Sequence, residues 1–335
     1  MSWAEIKRAV NSSLGTSDFE PLDMLFKKTA DDLYYNFADL LSKGEPNNTI
    51  LVVPKTKKIL AQEYYQKNYT VAILPDGIEI IGDRAFSNTP IDHINIPETV
   101  TEFGSEAFAY TGDLIGFHIP SGVAQLSDGL FIRSKIRILD IPNQITSIND
   151  DLCKNCTYLT SVTLPNNITR IGDYAFYACK NLISIEIPSS VTSIGSYAFE
   201  GCSSLPSVEI PDGVTSIGKR AFYNCSSLTT IRIPNSVQSV GEYAFSDCSG
   251  LKEIIFESGI TTVPEKMFEG VGAVDRLVLP VSITSIGNFA FRNLYNVGVK
   301  NIYYEGSEQQ WAQISIGEYN EGLDGATIHY NYTGN

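Results

Sequence analysis

Residues 187–205 read IPSSVTSIGSYAFEGCSSL, and residues 210–228 read IPDGVTSIGKRAFYNCSSL, the same pattern 23 residues later. Working outward from this pair, Ile-Pro or Leu-Pro steps place prolines at 75, 97, 120, 142, 165, 188, 211, 234 and 280. The intervals are 22 or 23 residues, apart from a final double step in which Glu257 stands where a proline would fall. Three residues after each proline is a β-branched residue, from Ile78 to Ile283. The sixth position is apolar (Ile81, Phe103, Ile194, Ile217), the seventh usually Gly, the eleventh Phe except for Cys153. The fourteenth holds Thr89, Thr111, Ser134, then Cys156, Cys179, Cys202, Cys225 and Cys248. An LxxIxI segment closes each unit. A unit this short cannot bury its own apolar stripe, so equivalent residues must pack against those of the next unit. The pattern predicts an α/β repeat solenoid of about ten coils over residues 72–300. Each LxxIxI is read as one parallel strand and each xxAFxxC as a short helical turn. Glycine at the seventh position is read as a tight turn or a positive φ.

These units resemble the BspA-like (Treponema-type) leucine-rich repeat, over about two-thirds of the chain. The resemblance implies a curved right-handed solenoid and a non-enzymatic adhesive or interaction role.

The 335-residue chain carries 24 Lys+Arg against 38 Asp+Glu, a formal net charge of −14. An anionic surface repels phosphate, which excludes general nucleic-acid binding. No GxSxG, P-loop or HExxH motif is present, and three histidines leave few groups for acid–base or metal chemistry. The expectation is a non-catalytic protein without a cofactor or resident metal. The opening MSWAEIKRAV lacks the apolar run of a secretory signal, and no stretch has the length and apolarity of a membrane span. The chain is therefore expected to be made in a bacterial cytoplasm, with no membrane insertion and a working site outside the cell or on a virion.

Flanking the repeats, Ser2 and Glu5 have capping-box spacing, and a second helix is predicted from Pro21 to Lys43. Its stripe of Leu22, Leu25, Phe26, Leu33, Phe37 and Leu40 either folds back on the solenoid or oligomerises through residues 20–43. The start SWAEIKRAVNSSL…PLDML resembles the N-termini of prophage tail-associated proteins of Gram-positive bacteria. The expected organisation is a helical attachment segment (1–45), an N-terminal cap (46–71) with a helix at Ile59–Lys67, the repeats (72–300) and a C-terminal cap (301–335). That cap is read as a short helix at Gln309–Ile314, with Trp311 covering the last coil, and a final strand at Ala326–Tyr330.

Two surfaces are candidate binding sites for a protein or glycan on a cell surface. The first is the outward side of the LxxIxI strands: His93, Asn95, His118, Asp140, Thr163, Glu186, Glu209 and Arg232, with Arg232 beside the two glutamates. The second is a recurring tyrosine position, Tyr174, Tyr197 and Tyr243, because tyrosine joins an apolar body to a polar tip. His93 and His118 fall in adjacent coils but lack an assured third metal ligand. The cysteine column is read as buried inert thiols, since in-register stacking keeps the Cβ vectors parallel. Cys153-Lys-Asn-Cys156 is formally CxxC, yet Cys153 merely fills a phenylalanine slot. The functional reading is a receptor-binding protein associated with a prophage tail, or a cell-surface adhesin that binds host matrix proteins.

Overall fold

The computed structural model describes residues 50–114, 117–292 and 298–334. The helices and oligomerisation surface expected within residues 1–45 lie outside them. The chain forms two compact units: one runs to Ala124 and includes Ser134–Ile136, the other comprises Gln125–Arg133 and Arg137 onward.

In both units the coils carry two short parallel strands rather than the single one expected. In the first unit Ile50–Val52, Val71–Ile73 and His93–Asn95 form one sheet, and Lys58–Ile59, Ile80–Ile81 and Glu102–Phe103 another. In the second unit, the LxxIxI segments pair as Ile138–Asp140, Ser161–Thr163 and Ser184–Ile185, then as Thr230–Ile233, Glu253–Phe256, Val274–Leu279, Val299–Tyr304 and Thr327–His329. Where it forms, the second strand of a coil is a two-residue piece, such as Ser193–Ile194 against Ser216–Ile217. Partners sit 21–23 residues apart up to the pairing of Glu253 with Arg276, and 25–30 apart where Val299–Tyr304, Ser315–Ile316 and Thr327–His329 close the fold.

A single residue explains why the LxxIxI ladder divides. The residue five before each proline donates its amide to the preceding coil: Thr160 N to Arg137 O, Ile183 N to Thr160 O, Thr229 N to Pro206 O and Lys252 N to Thr229 O. At the corresponding position of one coil stands Pro206, which has no N–H to give. No strand is formed over 205–210, and the sheet resumes at Thr230.

The xxAFxxC segment is a chain of turns, not the helical turn expected. In a helix every amide bonds within its own segment. Here alternate amides leave the coil: Tyr174 N donates to Ser196 O (2.9 Å), Phe176 N to Ala198 O (2.8 Å) and Ala178 N to Glu200 O (2.6 Å). Those between them stay at home, Tyr177 N to Tyr174 O and Cys179 N to Phe176 O. This accounts for the backbone donors without a helix. It also demands two left-handed residues per coil, Tyr174 (φ 55°) and Ala178 (φ 53°), repeated as Tyr197 (φ 60°) and Gly201 (φ 74°).

The glycines at the seventh position do not have positive φ. Their requirement is close approach: a Cβ on Gly195 would lie 2.6 Å from the carbonyl carbon of Gly172 and 2.5 Å from Asp173 Oδ1 in the preceding coil.

Inside, the phenylalanines stack ring on ring. Phe176, Phe199, Phe222, Phe245, Phe268 and Phe291 are essentially fully buried, with successive centroids 5.1–5.6 Å apart. All six cysteines are buried free thiols, as expected. From Cys179 onward the column thiols donate to the phenylalanine-slot carbonyl of the coil before, as Cys202 Sγ does to Phe176 O (3.2 Å). Burial raises the pKa of Cys179 and of Cys202, the latter to about 12.

The helix expected at Ile59–Lys67 is instead a strand and turns of the repeat pattern. Gln62, Tyr64 and Gln66 send their amides to Asp83, Ala85 and Ser87, and Tyr64 takes the phenylalanine slot, 5.3 Å from Phe86. At the other end a helix spans Glu308–Trp311 with a complete Ser307–Gln310 capping box, and Trp311 packs edge-on against buried Tyr304 at 5.4 Å. Asn320 closes the last coil. Its Oδ1 accepts from Phe291 N (2.9 Å), and its Nδ2 donates to Gly287 O (3.0 Å) and Gly317 O (2.8 Å). The side-chain amide thus replaces the peptide group that a further coil would supply.

Candidate functional site

Along each LxxIxI segment side chains alternate between core and outside, as strand geometry dictates. In Ile138–Asp140 the middle residue is buried and its neighbours are exposed. The residues two and four before each proline therefore carry no core duty over much of the second unit.

In the first unit this strand face is largely committed. Val71 and Ile73 are buried, with Val52 packed against them. Asn95 clamps the adjacent coil, accepting from Leu74 N and donating to Leu74 O, both at 2.8 Å. His93 is half-buried, and that burial lowers its imidazole pKa. His118 Nε2 lies 3.0 Å from Glu98 Oε1. Among the described residues no group of three or more His, Cys, Asp or Glu side chains converges as a metal site requires.

In the second unit Asp140 and Thr163 are exposed on their strands, and Glu186 and Glu209 are exposed at the equivalent repeat position, Glu186 just past its strand and Glu209 in the coil that Pro206 leaves without one. None of these three carboxylates has an ion-pair partner among the described residues. Arg232, expected beside the glutamates, instead bridges Asp212 (3.0 Å) and Glu257 (2.7 Å). Asp212 follows Pro211 in the coil before, and Glu257 occupies the proline slot of the coil after, so the guanidinium reaches a carboxylate on either side.

The tyrosine column is geometrically real but spent on itself. Tyr174 and Tyr197 stack at 4.5 Å with 3° between planes, and Lys154 Nζ covers the Tyr174 ring at 4.3 Å. Tyr243 has Arg220 at 5.2 Å and Lys266 at 5.1 Å from its centroid. Ring faces engaged this way are not free to stack on a sugar.

The sequence reading missed a groove of about 520 Å³ farther along the strand face. Ile255 and Val278 form its apolar floor, and Arg276, Tyr332, Glu257 and Glu305 line it. Arg276 bonds Glu253 Oε1 (2.6 Å) and the Tyr332 hydroxyl, with its guanidinium 5.2 Å from the Tyr303 ring. His329 stacks on Tyr303 at 4.6 Å. The apolar Ile255 and Val278, after a polar run from Asn95 to Arg232, were the one visible signal. Glu305, Tyr303 and Tyr332 belong to the closing segment, where the period no longer assigns faces.

A family model described as a BspA type leucine rich repeat region matches residues 57–183 and 169–298, in six copies. No curated protein sequence matches the chain. Among solved structures, a leucine rich cell surface protein from Faecalibacterium prausnitzii is 27% identical over 80% of this chain and 91% of that one, with a TM-score of 0.50. A leucine-rich repeat protein from Bacteroides ovatus is 23% identical, covering 84% of this chain and 83% of its own, with a TM-score of 0.67. The pneumococcal vaccine antigen PcpA is 18% identical over 85% and 79%, with a TM-score of 0.53. The last two are likenesses of fold alone. None of the three lends support to the tail association expected from the N-terminal segment. Among the described residues no helix is long and apolar enough to cross a membrane.

Proposed function

The chain belongs to the BspA type leucine rich repeat family, and from that premise we propose that it is a non-catalytic adhesion protein that binds a protein partner at a cell surface. The family match and the likeness to a cell surface protein support the class of function. The observation that carries the choice of surface is the strand face of the second unit. Asp140, Glu186 and Glu209 stand exposed with no ion-pair partner among the described residues, while Arg232 and Arg276 are matched to carboxylates. Charges left unpaired on a regular face favour a cationic patch on a partner and speed its approach. The tyrosine column is the weaker alternative because its ring faces are occupied.

The test uses the intact chain against immobilised extracellular-matrix proteins, purified bacterial surface proteins and neutral glycans. Saturable binding to a protein that weakens with salt and is lost in the triple variant D140K/E186K/E209K is expected. Absence of binding to any protein, or binding untouched by the triple variant, overturns the proposal.

A further inference from the structure

Resting on that reading but addressed to a different part of the face, we infer that the groove over Ile255 and Val278 receives a lysine- or arginine-bearing segment of a partner protein. The aliphatic stem of the basic side chain lies on the apolar floor and its charge meets Glu305 at the rim. A long cationic side chain suits such a place because its methylenes cover apolar surface while its head stays at a polar rim. The charges of the lining point the same way. Glu257 and Glu305 line the groove against one cation, Arg276, which Glu253 already matches, so Glu305 has no ion-pair partner among the described residues. Arg276 and nearby Arg232 are already held, Arg232 between Asp212 and Glu257 and Arg276 by Glu253 and Tyr332, so neither is available to an anionic ligand. A sugar is the less suitable occupant. Tyr303 has His329 stacked on it and Arg276 over it, and Tyr332 meets Tyr303 edge-on beneath the same guanidinium.

The probe is an acetylated octapeptide of alternating lysine and leucine, compared with its glutamate–leucine counterpart and a neutral hexasaccharide. Binding to the intact chain is followed by fluorescence anisotropy at low and physiological salt. The lysine peptide should bind, more tightly at low salt, and the other two should not. Glu305 is exposed, so Glu305→Lys leaves the fold alone and should weaken binding about fivefold, the size of one partly exposed ion pair. Glu318→Lys, an identical change of net charge away from the strand face, should weaken it less than twofold. Equal losses in the two variants would reveal general charge attraction and overturn the inference, as would tighter binding of the hexasaccharide or the glutamate peptide. Failure of the lysine peptide with the triple variant still losing its protein partner would remove this inference alone.

Discussion

Removing one ring from the phenylalanine stack tests whether each coil is stabilised by its neighbours. Phe222 is fully buried, 5.1 Å from Phe199 and 5.2 Å from Phe245, with interplanar angles of 7° and 3°. Phe222→Ala deletes the transfer free energy of the ring, leaves a cavity that two rigid neighbours cannot fill, and forfeits two stacking contacts. Buried phenylalanine truncations cost about 3–5 kcal/mol, and each lost aromatic pair contributes about 0.5–1.5 kcal/mol to such a total. In a solenoid that cost falls on adjacent units, because coupling is nearest-neighbour. Native-state hydrogen exchange by mass spectrometry reads it directly. The amides of Phe199 and Phe222, which donate to Ala221 O (2.7 Å) and Ala244 O (2.8 Å), should exchange about a hundredfold to several thousandfold faster. The Phe86 amide, bonded to Ala107 O in the other unit, should not change. Acceleration spread evenly over the whole chain, or less than about fivefold at residues 199 and 222, would refute the nearest-neighbour account.

Other consequences follow from single residues. Gly195→Ala drives a methyl group into the backbone of the preceding coil and should cost several kcal/mol, whereas Gly77→Ala, with φ 98° and nothing within 4 Å, should cost only about 1 kcal/mol; chemical denaturation midpoints separate them. The Cys202 thiol is held neutral by burial with a pKa of about 12, so its contribution is present below pH 9 and lost as pH rises from 9 toward 12; Cys202→Thr, whose hydroxyl can take over the bond to Phe176 O, should flatten that part of the stability–pH curve. No native thiol should react with an aqueous thiol reagent until the chain unfolds, and a crosslinked cysteine pair in non-reducing mass spectrometry would contradict the column. Asn320→Ala orphans the buried Phe291 amide at a cost of about 1–3 kcal/mol, and exchange should accelerate in residues 285–292 while the strands near 147–148 are unaffected.

What was legible in the sequence was whatever recurs with the coil. Phe222 and Cys225 could be assigned to the core because nine or ten equivalents share their place, and a burial requirement repeated that often overrides local propensity. What a residue meets in the coil below was not legible. Gly195 looks like a turn glycine, yet its constraint is the Gly172 carbonyl carbon and the Asp173 side chain, a distance no local pattern encodes. The AF turn looked like a helical turn because its composition suits one; the deciding fact is that Phe176 N finds Ala198 O in another coil. Strands of two residues, such as Ser193–Ile194, are too short to show alternation. The candidate site split along the same line. The exposure of Asp140 followed from period two within a strand and that of Glu186 and Glu209 from the shared repeat register, but Arg232 chose Asp212 and Glu257 by distance. The groove joins Arg276 to Tyr332, 56 residues away and outside the repeat, so nothing periodic announced it.

The most direct test of the account is carboxyl footprinting of the intact chain with and without its bound surface protein, read by mass spectrometry. A partner seated on the strand face should shield Asp140, Glu186 and Glu209 from carbodiimide labelling while Glu318, exposed in a closing turn, labels as before. Shielding confined to the turns, with the three strand-face carboxylates labelling freely in the complex, would contradict it.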